Sequence, residues 1–80
     1  LKQSLEWIAE QIQSGNRDFY QLEESAKQQV VDAGFRVDYM TISNSKTLDP
    51  AADDDIEITI LGAMFTEKAR LINNLSIVLG

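Results

Sequence analysis

Hydrophobic residues recur at helical spacing in the first part of the chain. The first apolar stripe has intervals of four, three and four residues and consists of Leu1, Leu5, Ile8 and Ile12. This spacing places them on one side of a helix and predicts a helix over about residues 1–14. Gly15 offers the positive φ that commonly ends a helix.

A second apolar stripe follows a short connector and consists of Phe19, Leu22, Ala26 and Val30. Asp18 is placed to act as the N-cap of this helix, with Gln21 three residues later in a capping-box arrangement. The residues expected to face water are Glu23, Glu24, Lys27 and Gln28. Gly34 is expected to end the helix. Because the connector is short, the two helices are predicted to form an antiparallel hairpin.

The pattern changes at Arg36, where β-branched and aromatic residues begin to alternate with polar ones. This composition predicts a strand over residues 36–43. A cluster of turn-forming residues follows over residues 44–50 and contains the only proline of the chain. The segment then continues as an acidic loop to Asp55.

A second strand is predicted over residues 56–65, where apolar and polar residues alternate. The side chains predicted to face the core are those of Ile56, Ile58 and Ile60. After Ile60 both faces become apolar, so we expect a central strand covered on both sides, with Gly62 allowing close packing. Residues 66–68 form a tight turn, and residues 69–79 indicate a third strand, with a helix as the competing interpretation. The fold class is therefore α+β, with a helical hairpin packed on a three-stranded antiparallel sheet.

Composition and charge exclude several classes of function. Thirteen acidic and seven basic residues give a net charge of −6, which argues against nucleic acid and anionic membranes as partners. The absence of Cys excludes disulfides and thiolate nucleophiles, and the absence of His removes the usual general base. No apolar run or leader pattern indicates a membrane span or a signal peptide. We expect a single cytoplasmic domain over residues 1–80, cut from a longer protein because Leu1 is not a Met.

Some polar residues invite a chemical interpretation. The run of residues 53–55, all Asp, lacks the ligand spacing of a calcium loop, so a solvated loop is favoured over weak divalent binding. Asn73 and Asn74 either bind backbone locally or meet a partner domain. Three cations are candidates to contact a phosphate or carboxylate, with surface ion pairs as the alternative: Arg36, Lys68 and Arg70. Neither a catalytic set nor a metal site is predicted.

Three segments, taken together, are similar to one family. Residues 33–39 read Ala-Gly-Phe-Arg-Val-Asp-Tyr, residues 45–50 read Ser-Lys-Thr-Leu-Asp-Pro, and residues 68–75 read Lys-Ala-Arg-Leu-Ile-Asn-Asn-Leu. Their order and spacing resemble the C-terminal domain of the pantothenate synthetases (pantoate–β-alanine ligases). Members of this family tend to show Gly-x-x-x-Asp-Tyr, Thr-Leu-x-Pro and Arg-Leu-Ile-Asp-Asn at these places. Asn73 stands where the family usually has Asp.

The resemblance implies an enzyme that joins pantoate to β-alanine with ATP and Mg²⁺, giving AMP and pyrophosphate through pantoyl-adenylate. It places the ATP and pantoate sites in an N-terminal Rossmann-like domain with a His-x-Gly-His motif and a Lys-Met-Ser-type loop, neither of which occurs here. It also implies a homodimer formed through that N-terminal domain.

The C-terminal domain of the family resembles a hinged lid over the nucleotide cleft. We therefore expect the isolated chain to be inactive and to hold no cofactor. Because the surface is acidic, the cleft-facing side is expected to carry Arg36, Lys68 or Arg70. The competing hypothesis is a free-standing acidic protein-interaction module without enzymatic activity.

Overall fold

The structure, a computed structural model, describes residues 1–79 as two helices followed by three strands. The elements are α1 (Lys2–Gln13), α2 (Phe19–Asp32), β1 (Arg36–Asn44), β2 (Glu57–Phe65) and β3 (Arg70–Val78). The predicted α+β class is confirmed, and the last segment is a strand rather than the competing helix. None of the helices in the described residues is long and apolar enough to cross a membrane.

Both helices end at the predicted glycines. Gly15 and Gly34 have φ angles of 104° and 93°, a region that L-residues with a side chain rarely adopt. At the end of α2, the Gly34 amide donates to the Val31 carbonyl at 2.9 Å and the Phe35 amide donates to the Val30 carbonyl at 3.2 Å. This pair of bonds is the Schellman motif, which satisfies carbonyls that the helix leaves free.

Only one of the two hydrogen bonds predicted for the start of α2 is present. Asp18 Oδ1 accepts a hydrogen bond from the Gln21 amide at 3.3 Å, as expected of an N-cap residue. The Gln21 side chain does not return to Asp18, and its amide group donates to Ser25 Oγ at 3.0 Å. The expected capping box is therefore wrong in its second half, because Asn16 Oδ1 already accepts from the Asp18 amide at 2.9 Å.

The three strands form an antiparallel sheet in the order β1-β2-β3, so β2 is the central strand as predicted. The register of β1 on β2 contains one irregularity. Val37 lies opposite Met64 and Tyr39 lies opposite Ala63, which leaves Asp38 as the extra residue of a β-bulge. The bulge changes which side chains of β1 share a face, and it determines the candidate site described below.

The helical hairpin packs on one face of the sheet, and Gly62 lies at the centre of that contact. A Cβ atom at Gly62 would lie 3.1 Å from both Leu1 Cδ1 and Met40 Sδ and 3.2 Å from Leu5 Cδ2, so the close packing predicted there is confirmed. The fully buried large side chains of this layer are Leu5, Ile8, Ile12, Met40, Ile42, Ile58 and Ile60. Their burial supplies most of the apolar contact that holds helices to sheet.

Two predictions about side-chain direction were wrong. Ile56 was expected to face the core but is 60% exposed, because it lies in a bend before the first residue of β2. Glu23 was expected to face water, whereas its Oε2 accepts a hydrogen bond from the Ile42 amide at 2.8 Å. This carboxylate therefore covers part of the outer edge of β1.

The second face of β2 is covered only in part. Ala63 is fully buried on that face, whereas Leu61 and Phe65 remain partly exposed. No second layer of helices packs there in the described residues, so the prediction of a strand covered on both sides holds only at Ala63. We call this uncovered side of the sheet the open face.

Candidate functional site

Two arginines flank one phenylalanine at the end of the open face. Arg36 on β1 and Arg70 on β3 both lie opposite Phe65 on the central strand. The guanidinium carbon of Arg36 is 4.9 Å from the centroid of the Phe65 ring, within the range of a cation–π contact. The apolar ring therefore separates two positive charges that share one surface.

Arg70 is held in place by a carboxylate and an aromatic ring of β1. Asp38 Oδ2 accepts a hydrogen bond from Arg70 Nε at 2.7 Å and lies 2.6 Å from Nη2 in an ion pair. The Arg70 guanidinium carbon also lies 5.9 Å from the centroid of the Tyr39 ring. Because Asp38 is on β1 and Arg70 on β3, this ion pair crosses the central strand. We call these three residues, together with Arg36 and Phe65, the open-face cluster.

A cleft of about 430 Å³ lies beside Arg36, between the end of α2 and the turn that joins β2 to β3. The turn is closed by the Thr66 amide, which donates to the Ala69 carbonyl at 2.8 Å, and by Thr66 Oγ1, which accepts from the Ala69 amide at 2.9 Å. Lys68 belongs to this turn. The residues that line the cleft are Gly34, Phe35, Arg36, Phe65, Thr66 and Glu67.

The three predicted cations lie at the same end of the sheet but differ in electrostatic state. The charge of Arg70 is balanced by Asp38, and the two side chains are 45% and 30% exposed. Within residues 1–79, Arg36 and Lys68 have no carboxylate within salt-bridge distance. An anion that approached this end could therefore pair with the positive charges of Arg36 and Lys68. The charge of Arg70 is already paired with Asp38.

The acidic loop and the two asparagines have local structural partners. Asp55 accepts from the Ala52 amide at 2.8 Å and from Asn44 Nδ2 at 3.0 Å. Asn73 Oδ1 accepts from the Asn74 amide at 2.9 Å, which is the local backbone contact considered for this pair. In the part of the chain that the structure describes, no group of three acidic side chains could hold a metal ion.

Sequence reasoning missed Asp38 and Phe65 as members of the cluster. Neither side chain was given a role from the sequence. The signal for Phe65 is the predicted turn between β2 and β3: a turn over residues 66–68 places Phe65 opposite Ala69, and one further loop residue, as in the structure, places it opposite Arg70. Asp38 could not be placed this way, since its direction depends on the bulge.

Residues 1–76 of this chain match the family described as pantoate-beta-alanine ligase. The chain belongs to this family. The resemblance in the three sequence segments is thereby confirmed. The pantoate-beta-alanine ligase match includes all five residues of the open-face cluster, together with both helices and most of β3.

Pantothenate synthetases from three bacteria are similar to the chain along nearly its whole length. The protein of Saccharophagus degradans is 61% identical over 77 residues, and that of Cellvibrio japonicus is 56% identical over 79 residues. The protein of Colwellia psychrerythraea is 42% identical over 82 residues. These matches cover 96%, 99% and 96% of this chain, but only 27%, 28% and 28% of the relatives. The chain thus spans about a quarter of their length, and the competing hypothesis of a free-standing module receives no support.

Proposed function

We propose that this chain is the C-terminal lid domain of a pantothenate synthetase and folds as one unit over residues 1–80. The whole enzyme would join pantoate to β-alanine and convert ATP to AMP and pyrophosphate through pantoyl-adenylate. Its N-terminal domain would carry the catalytic groups and form the homodimer in the cytoplasm. The observation that carries this proposal is the family match over residues 1–76 in a chain that spans only 27% of its Saccharophagus relative.

The chemistry of the chain agrees with a covering role. It contains neither His nor Cys, so the common general base and the common thiolate nucleophile have to come from elsewhere. An acyl-adenylate is a mixed anhydride that water hydrolyses, and a domain that closes over it excludes water from the reaction. The lid therefore needs a rigid sheet and a surface that tolerates phosphate.

The open-face cluster is the part of the surface that suits this role. The net charge of −6 repels a polyphosphate from most of the domain. Arg36 and Lys68 would face the anionic part of the bound nucleotide, with Phe65 keeping the Arg36 guanidinium extended along the surface. Arg70 would act mainly through its bond to Asp38, which fixes the shape of this end of the sheet.

A chimeric enzyme tests the proposal. This chain replaces the matching segment of the Saccharophagus degradans protein, and formation of pantothenate is measured with ATP, pantoate and β-alanine. We expect turnover by the chimera, loss of most turnover when the segment is deleted, and none from the isolated chain. Pantothenate formation by the isolated chain, or an unchanged rate after deletion of the segment, contradicts the lid role.

Arg36→Gln in the chimera tests the assignment of the cluster. A hydrogen bond to a charged group is worth roughly 1.5–3 kcal/mol, so kcat/KM for ATP should fall about tenfold or more. Lys2→Gln is the matched control, because Lys2 is an exposed cation on α1, paired with Glu6 at 3.8 Å, and belongs neither to the cluster nor to its cleft. Equal effects of the two substitutions would show that Arg36 acts only through the overall charge.

A further inference from the structure

Leu48, in the loop between β1 and β2, combines two unfavourable features. Its φ is 62°, and it is the only residue other than glycine with a positive φ in the described part of the chain. Its side chain is also 62% exposed. For an L-residue with a Cβ atom this backbone conformation is costly, and an exposed leucine gains little from burial in its own domain. The stability of the described residues therefore gives no reason for a leucine at this position.

The loop holds Leu48 in a fixed position. The Leu48 amide donates to the Asn44 carbonyl at 2.9 Å, and Asn44 Oδ1 accepts from the amides of Lys46 at 2.8 Å and Thr47 at 3.1 Å. The Asn44 amide in turn donates to the Asp49 carbonyl at 2.9 Å. A side chain presented on so constrained a loop loses little conformational freedom when a partner covers it.

Leu48 borders an apolar groove that continues onto the open face. The groove has a volume of about 350 Å³, and its apolar walls include Leu48, Pro50 and Leu61. Three carboxylates of the same loop, those of Asp49, Asp53 and Asp54, have no ion pair within residues 1–79. The cation of this loop, Lys46, is already paired with Glu57. The groove thus combines aliphatic walls with the polar side chains of Glu23, Thr41 and Ser43, and it adjoins a loop that carries acidic side chains.

We propose that the Leu48 groove docks against the remaining part of the same protein. The surface that it contacts there is an apolar pocket bordered by Lys or Arg. This inference rests on the proposed function, because the relatives are nearly four times as long as their match to this chain, which spans 27% of one of them. A partner joined in the same polypeptide is present at high effective concentration, so a contact of one leucine and one groove suffices. A second copy of this chain is disfavoured because it would bring acidic loop against acidic loop.

Thiol labelling provides a direct test, since the chain contains no Cys. Leu48→Cys is introduced into the isolated chain and into the chimera, and the rate of alkylation is measured by mass spectrometry of the peptide that contains it. Ile56→Cys is the matched control, because Ile56 is 60% exposed and lies outside the groove. In the chimera, the alkylation rate at position 48 should fall about tenfold because this site becomes buried. The alkylation rate at position 56 should stay unchanged. Equal rates at position 48 in the two proteins overturn the docking proposal.

A second substitution separates docking from stability. Asn tolerates a positive φ better than Leu, so Leu48→Asn should leave the melting temperature of the isolated chain unchanged or higher. In the chimera it should lower kcat/KM severalfold. A lower melting temperature of the isolated chain would mean that Leu48 acts within its own domain and would overturn the proposal.

The two proposals fail in different ways. Loss of turnover in the unsubstituted chimera counts against the proposed function, and thiol protection can still be measured there. If the chimera shows full turnover but the thiol at position 48 is not protected from alkylation, only the docking proposal is contradicted. Asp53→Asn combined with Asp54→Asn should reduce the protection at position 48, and unchanged protection would overturn the basic character assigned to the partner pocket.

Discussion

The ion pair between Asp38 and Arg70 can be measured by a double-mutant cycle. Asp38→Asn keeps the shape of its side chain and Arg70→Gln shortens it, and each removes the charge, singly and together. The pair joins the two outer strands across β2, so its free energy contributes to the sheet as a whole. The cycle isolates the coupling between the two side chains from what each loses with other neighbours.

The structure sets the expected size of this coupling. Hydrogen bonds to charged groups are worth roughly 1.5–3 kcal/mol when water is excluded. Asp38 and Arg70 are 30% and 45% exposed, so solvent screening reduces that value toward the range of surface pairs, about 0.2–1 kcal/mol. Because one carboxylate oxygen accepts a charge-assisted hydrogen bond from Nε at 2.7 Å and lies 2.6 Å from Nη2, we expect the upper end, about 1 kcal/mol. Arg70→Gln alone should cost somewhat more, since it also removes the contact with the Tyr39 ring.

Urea unfolding followed by the fluorescence of Trp7 provides the measurement. Trp7 is the only tryptophan and packs against the core, so its emission reports global unfolding. In a domain of this size 1 kcal/mol corresponds to roughly 4–8 °C in melting temperature, which is easily resolved. The control cycle uses Lys2 and Glu6, a pair at 3.8 Å whose side chains are 79% and 50% exposed. A coupling for Asp38 and Arg70 no larger than that of the control refutes the reasoning.

Substitutions at three further positions test the packing and the strand edge, all by urea unfolding of the isolated chain. Gly62→Val should lower the free energy of unfolding by about 1–3 kcal/mol through overpacking. Gly62→Ala should change it by less than about 1 kcal/mol, because Met40 can shift. Equal losses for the two substitutions would contradict this account of the packing. Gly34→Ala should cost about 1 kcal/mol because of its φ of 93°, although nothing lies within 4 Å of the added methyl group. Glu23→Ala should cost about 1–2 kcal/mol and increase self-association in size-exclusion chromatography, since it exposes the Ile42 amide at the edge of β1.

The helices and the strand order were predictable because their signals are local. The N-cap at Asp18 and the C-terminal glycines act through residues within one turn, so sequence spacing alone locates them. The position of Ile56 was not predictable from alternation. Strand periodicity gives the facing of residues inside a strand, and Ile56 lies just before β2, where the backbone bends.

The candidate site was predictable only in part. Charge alone selected Arg36, Lys68 and Arg70, and the antiparallel order of the strands places all three at one end of the sheet. The charge of Arg70 is the one that is neutralised, because Asp38 pairs with it. The direction of Asp38 depends on a β-bulge set by the packing of β1 on β2. The backbone of Leu48 was unpredictable for a similar reason, because the bonds from Asn44 fix it.

The two proposed contacts lie at opposite ends of one strand, which constrains how a lid could use them. Arg36 begins β1, and the loop that carries Leu48 follows its last residue. Between them, the amide of Ile42 donates to Glu23 of α2, and its carbonyl accepts from the Ala51 amide at 3.0 Å. Helix, strand and loop are thus bonded through a single residue. A lid that meets nucleotide with one end of β1 and protein with the other therefore has to close as a rigid body, with the bending confined to chain outside this unit.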